Sequence, residues 1–259
     1  MTTEVKPVDK EMLAQFLLRM GDNTLILGHR VSEWCGHAPV LEEDIALANT
    51  ALDLIGQTQF WLGYAAEVMG EGKTADDVAF LRDAWDFRNL LLLELPNGDF
   101  GQTLMRQFLF DAYQSILLPR LMKSSDQRIA EIAEKASKEV AYHVERSAET
   151  VVGLGDGTEE SQMRMQAALD RLWPYVGEMF ASDEVDAAMA AAGVAPDTAS
   201  LRADYDTLVG KVLVEATLSI PECDFAHKGG RNGVTHTEHL GHLLTQMQWL
   251  QRAYPGASW

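Results

Sequence analysis

Apolar residues recur along most of the chain at the three- and four-residue spacing of helices that bury one face. The alternation of a half-buried strand is scarce. From about residue 9 to 36 the apolar positions are Met12, Phe16, Met20, Leu25 and Leu27. Pro39 stands just ahead of a second helix, LEEDIALANTALDLIGQTQFWLGYAAEVMG, which Gly70 closes; proline suits a helix start and glycine its end. A shorter helical piece is expected near 75–93, then the turn Pro96-Asn97-Gly98-Asp99. A third long helix covers about 100–122 and a fourth about 126–152, closed by Gly153, Gly155 and Gly157. Further helices are expected near 160–180, 183–192, 198–216 and 236–253, with the irregular stretch IPECDFAHKGGRNGVTH, residues 220–236, before the last. No close repeat or low-complexity segment interrupts this pattern. It predicts an all-α chain, 1–259, forming a single helical domain: an up-down four-helix bundle with additional C-terminal helices.

Composition fits that picture. With 259 residues, 47% hydrophobic and 23% charged, the chain can build a substantial core. Its formal charge of -18, from 21 Lys+Arg against 39 Asp+Glu, argues against nucleic acid and against an anionic membrane as partners. An anionic small molecule held by a local basic patch stays compatible. Cys35 and Cys223, far apart and outside any Cys-x-x-Cys, read as reduced, buried thiols of a cytosolic protein. The opening MTTEVKPVDK lacks the apolar core of a signal peptide, and the longest apolar run, Leu90 to Leu93, is too short to span a bilayer. A cytoplasmic location is expected.

The fourth helix carries the first candidate chemistry, in SKEVAYHVE. At about 100° per residue, Ile129, Ala133, Ala136, Val140, Val144 and Ser147 form its inner stripe. His143 lies about 40° from the stripe centre and Glu139 about 80° away, on the flank. A carboxylate-bridged di-iron helix places Glu three residues before His, and that position holds Val140. On the third helix Leu104, Phe108, Ser115, Leu118 and Met122 form an inner stripe that includes Asp111. A buried carboxylate needs a partner, because burying it alone costs several kcal/mol. His143 on the neighbouring helix is the expected one.

Three weaker constellations remain. His236, Glu238, His239 and His242 open the last helix, and two histidines three apart could bind zinc, although helix-start contacts or a partner surface are the plainer use. The basic, glycine-rich loop Lys228–Gly233 lacks P-loop spacing and reads as a flexible turn, or as a contact to a partner or to CoA phosphates. Cys35 and His37 lie two residues apart and do not face each other on a helix, which argues against a nucleophile pair. The aromatics Trp61, Tyr64, Trp85, Phe87, Trp173, Tyr175, Trp249 and Tyr254 are expected mostly in the core.

The segments KEVAYH, ALDLIGQ and YAAEVMG, together with the spacing from Asp111 to His143, resemble the ferritin-like subunits of the bacterial phenylacetyl-CoA epoxidase, the ring 1,2-phenylacetyl-CoA monooxygenase. MGDNTLILGHRVSEWCGHAPVLEEDIALAN and TEHLGHLLTQMQWLQR resemble the family of its non-catalytic ferritin-like partners, and the likeness covers nearly the whole chain. The resemblance implies a ferritin-like bundle. In the catalytic relative two helices each supply one carboxylate and two supply a Glu-x-x-His pair. Carried onto this chain, those positions fall at Leu25, at Leu54 and Gln57, at Asp111, and at Val140 and His143. Only Asp111 and His143 keep ligand chemistry, too little for two irons. The resemblance therefore implies no catalytic, cofactor-binding or metal residue on this chain, and a degenerate di-iron site. The di-iron centre is expected on a partner, the catalytic subunit of the epoxidase. A further, bridging subunit is expected to join such pairs, with a reductase acting on the complex and a homodimer open to the isolated chain. Two alternatives stand beside it: a di-iron oxygenase or metal-binding ferritin-like protein in its own right, and an unrelated helical scaffold or storage protein.

Overall fold

The computed structural model describes residues 8–223 and 225–257, and the N-terminal segment read for a signal peptide lies largely outside them. Among the described residues there is no strand. The helices are α1 Lys10–Ser32, α2 Leu41–Met69, α3 Ala75–Phe80, α4 Leu91–Glu94, α5 Phe100–Leu121, α6 Gln127–Gly155, α7 Glu159–Leu172, α8 Glu184–Ala191, α9 Arg202–Glu215 and α10 Glu238–Ala253. Short 3-10 segments lie at Ala84–Asp86, Trp173–Phe180 and Thr198–Leu201. The chain divides into two compact units, one taking in Asp9–Pro96 and the residues from Lys228 onward, the other Asn97–His227. No described helix is long and apolar enough to cross a membrane.

In the first unit, Asp9 caps α1 by accepting from the Glu11 and Met12 amides, satisfying donors a helix start leaves over. α1 and α2 pack antiparallel because α1 presents glycines where α2 presents leucines. A Cβ on Gly21 would collide with the Leu62 side chain, and one on Gly28 would lie 3.2 Å from Leu54 Cβ. Between them Thr24 Oγ1 and Thr58 Oγ1 are hydrogen-bonded at 2.8 Å.

The region 75–93, expected as one helical piece, instead breaks into α3, a 3-10 turn and α4. The cause is tertiary. The fully buried Asp22 of α1 is gripped by the Arg82 guanidinium and accepts the Arg88 amide at 2.8 Å, while Asn23 Oδ1 accepts the Leu90 amide at 2.8 Å. Amides that would continue a helix are spent on α1 side chains instead.

In the second unit, Asp99, Asp126, Thr158 and Asp183 cap α5, α6, α7 and α8. α5 is buried on every side from Gln102 to Gln114, so it is a central helix rather than one with a single inner stripe. Met122, expected on that stripe, sits beyond the helix end and is exposed. α7 stops at Leu172, short of the expected 180, because Pro174 has no amide for the helical ladder. α6 runs on to Gly155, where a Cβ would strike the Ala216 carbonyl at the end of α9.

Three expectations about burial are corrected. Cys35 and Cys223 are free thiols as read, but both are exposed, since each lies in irregular backbone outside the helices. Trp85, Trp249 and Tyr254 are exposed rather than core, whereas Trp61 and Phe87 are fully buried. Val144 is half-exposed and His143 buried, so the inner face of α6 is turned toward the histidine.

The contact at Gly155 gives a test. Gly155→Ala forces a methyl group against a backbone carbonyl that cannot step aside, and should destabilise the fold by about 1–3 kcal/mol. Urea denaturation of the variant checks this; an unchanged midpoint would show the α6–α9 approach to be looser than described.

Candidate functional site

All six positions that the resemblance assigns to ligands are interior in their own units. In the first, Leu25, Leu54 and Gln57 are 7%, 2% and 2% exposed. In the second, Asp111, Val140 and His143 are 1%, 3% and 3% exposed. The register that the resemblance implies thus has a buried side chain at each of these positions. Glu139, one residue before Val140, is a half-buried flank residue as expected.

Asp111 is the chemical centre of the second unit. α5 and α6 pack side by side, and the carboxylate reaches from α5 to α6. Its Oδ1 accepts from Gln107 Nε2 at 2.7 Å, one turn earlier on α5. Its Oδ2 accepts from Ser147 Oγ at 2.9 Å, across on α6. Ser147 is one turn beyond His143, on the same face. Burial pushes the Asp111 pKa up to about 6, and the His143 charge, the two hydrogen bonds and Arg146 pull against that rise. His143 is thus an electrostatic neighbour of Asp111, as expected, while the hydrogen bonds come from Gln107 and Ser147, which sequence alone did not assign as partners. A glutamine four residues before a buried aspartate was the signal for one of them.

This arrangement does not fit a di-iron centre. Bridging and terminal carboxylate oxygens are what such irons require, and Leu25, Leu54 and Val140 offer only hydrocarbon where the register would need them. Among the described residues no three His, Cys, Asp or Glu side chains gather as a metal-holding group.

The other constellations resolve into structure. His236 Nδ1 lies 2.5 Å from Oε1 of Glu94, a fully buried carboxylate, and Asn89 Nδ2 donates to the same oxygen at 3.0 Å. The other oxygen accepts the Thr237 amide and hydroxyl, each at 2.7 Å. The histidines at the start of α10 therefore serve helix-start contacts through His236, while His242 is exposed. Sequence patterning did not single out Glu94, although a lone acid in the apolar run LLLLELP is a legible sign. The loop Lys228–Gly233 is a packed turn: the Gly233 amide donates to the Gly230 carbonyl at 3.0 Å, and the Arg231 carbonyl accepts from Arg19 Nε at 2.9 Å. His37 Nδ1 lies 3.0 Å from the Cys35 carbonyl oxygen, which gives the thiol no base.

Long capped helices that bury a carboxylate and an imidazole as neighbours are the make-up of a ferritin-like helical protein. The chain belongs to the phenylacetic acid catabolic protein family, whose sequence model matches residues 1–259. Over 247 residues, 95% of this chain and 99% of the relative, it is 47% identical to the C subunit of 1,2-phenylacetyl-CoA epoxidase from Escherichia coli (strain K12).

Two tests follow from the buried carboxylates. Asp111 binds its proton more tightly folded than unfolded, so its contribution to stability is largest below the unfolded pKa of 3.8 and falls as pH rises toward about 6. The rise from 3.8 to about 6 corresponds to roughly 3 kcal/mol across that window. Asp111→Asn should flatten this slope, gaining on the wild type between about pH 4 and pH 7 in urea titrations; parallel profiles would sink the assignment. Glu94→Ala strands His236, Thr237 and Asn89 in the interior and should cost about 3 kcal/mol, read by thermal or chemical unfolding.

Proposed function

We propose that this chain is the structural, non-catalytic subunit of the multicomponent phenylacetyl-CoA ring 1,2-epoxidase of aerobic phenylacetate catabolism. In this reading it acts as one ferritin-like domain that pairs with and supports the di-iron catalytic subunit in the cytoplasm. A bridging subunit joins such pairs, and the reductase delivers electrons to the complex. The observation that carries the reading is the burial of Leu25, Leu54 and Val140 at positions where a working relative needs carboxylates. Apolar packing there stabilises the interior more readily than a buried ionic site would. The chain's own Asp111, with Gln107 and Ser147, then serves as a satisfied polar link between α5 and α6.

A second reading, metal binding by this chain itself, draws on the buried neighbours Asp111 and His143. One experiment separates the two. The chain is co-expressed with the other epoxidase subunits, the complex is isolated, and iron is quantified on each polypeptide after separation. Iron that follows only the catalytic partner supports the structural role. Stoichiometric iron on this chain would overturn it, and so would failure of the subunits to co-purify.

A further inference from the structure

α2 carries a second, largely apolar run beside its buried face. Leu47, Leu54, Trp61 and Ala65 are buried. The second run comprises Leu41, Ile45, Ala48, Leu52, Ile55 and Gln59, at alternating steps of four and three residues. Leu41 is 70% exposed, Leu52 67% and Ile45 53%. That alternation is the seam on which two helices pack knobs into holes, whereas a face that meets only water has no need of it. Gly56 and Gly63 border the seam, and a Cβ on either would meet nothing within 4 Å, so another helix can lie close against the backbone there.

Charge selects the occupant. α2 contains Glu42, Glu43, Asp44, Asp53 and Glu67 and neither Lys nor Arg. A second copy docked on the same face would set two such helices together, in a chain whose formal charge is -18; like charges brought together in that way are costly. The complementary surface is a helix with its own three-four apolar seam, flanked by Lys and Arg.

We propose that the exposed seam of α2 is the docking face for a cation-flanked helix of a non-identical subunit of the same assembly. This rests on the reading of the chain as a subunit of the epoxidase, and the test keeps the two apart. The chain is co-expressed with the other epoxidase subunits as wild type, as Ile45→Glu/Leu52→Glu, as Glu42→Lys/Glu67→Lys, and as Val214→Glu, a still more exposed apolar site on α9. Wild type and Val214→Glu should retain the partner. Ile45→Glu/Leu52→Glu should keep its melting temperature, since both side chains face water, and lose about 100-fold in partner affinity. Glu42→Lys/Glu67→Lys should lose about tenfold at low salt, and the difference should shrink at high salt. Retention of the partner by Ile45→Glu/Leu52→Glu overturns the proposal and leaves the subunit reading intact. Loss of self-association in that variant with partner binding unchanged assigns the seam to a second copy and also overturns it. Failure of the wild type to bind any partner removes the subunit reading and the seam together.

Discussion

A carboxylate taken out of water must be met by donors or hold its proton, and three of the buried carboxylates, Asp22, Glu94 and Asp111, show what that constraint does to this chain. Asp22 and Glu94 are fully buried and Asp111 is 1% exposed. Each is met in a different way, and each way fixes a piece of the fold. Asp22 takes the Arg82 guanidinium and the Arg88 amide, which lays the stretch after α3 along α1. Glu94 takes His236 and Thr237, which pins the start of α10 beside the end of α4. Asp111 takes two neutral donors and is left with a raised pKa. The graded supply of donors, an arginine for Asp22, a histidine with three neutral donors for Glu94 and a glutamine and a serine for Asp111, follows what each helix neighbour can reach.

Elements set by local chemistry were legible in the sequence. Pro39 and Gly70 bracket α2, and the aspartates at 99 and 126 stand immediately before α5 and α6. Elements set by distant partners were not. Nothing within 75–93 announces that the Arg88 and Leu90 amides are claimed by residues 66 and 67 positions earlier. The site divides along the same line. The inward register of Val140, His143 and Asp111 could be read from angles on a helix, because those angles are intrinsic to the element. The donors to Asp111 could not be ranked that way, since Ser147 reaches it only across the α5–α6 contact. Cys35 and Cys223 show the converse error: an average preference for burial says little about residues in irregular backbone.

The glycines of α1 show how closely the helices of the first unit pack. Where the resemblance would look for ligands on α1 and α2, this chain has Leu25 and Leu54, and Gly28 lets Leu54 close in. A ligand carboxylate at either position would need space for metal and oxygen atoms. Leucine needs contact, and the missing Cβ provides it. Gln57, which is 2% exposed, keeps a polar group among these side chains without the charge that a glutamate would bring.

The same helix then carries two kinds of apolar surface for two reasons. The buried side of α2 satisfies the ordinary demand for a core. Its exposed side does not lower the free energy of the isolated chain: leaving leucines 41 and 52 in water forgoes roughly 1.5–3 kcal/mol each relative to burial. A helix of 29 residues could meet water with polar groups there at no cost to its own packing. The leucines and isoleucines exposed there at seam spacing are therefore not required by the packing of the chain itself, and docking of the proposed helix would bury them. With Leu41, Ile45, Leu52 and Ile55 in water, the outer side of α2 is surface that the packing of the isolated chain does not require.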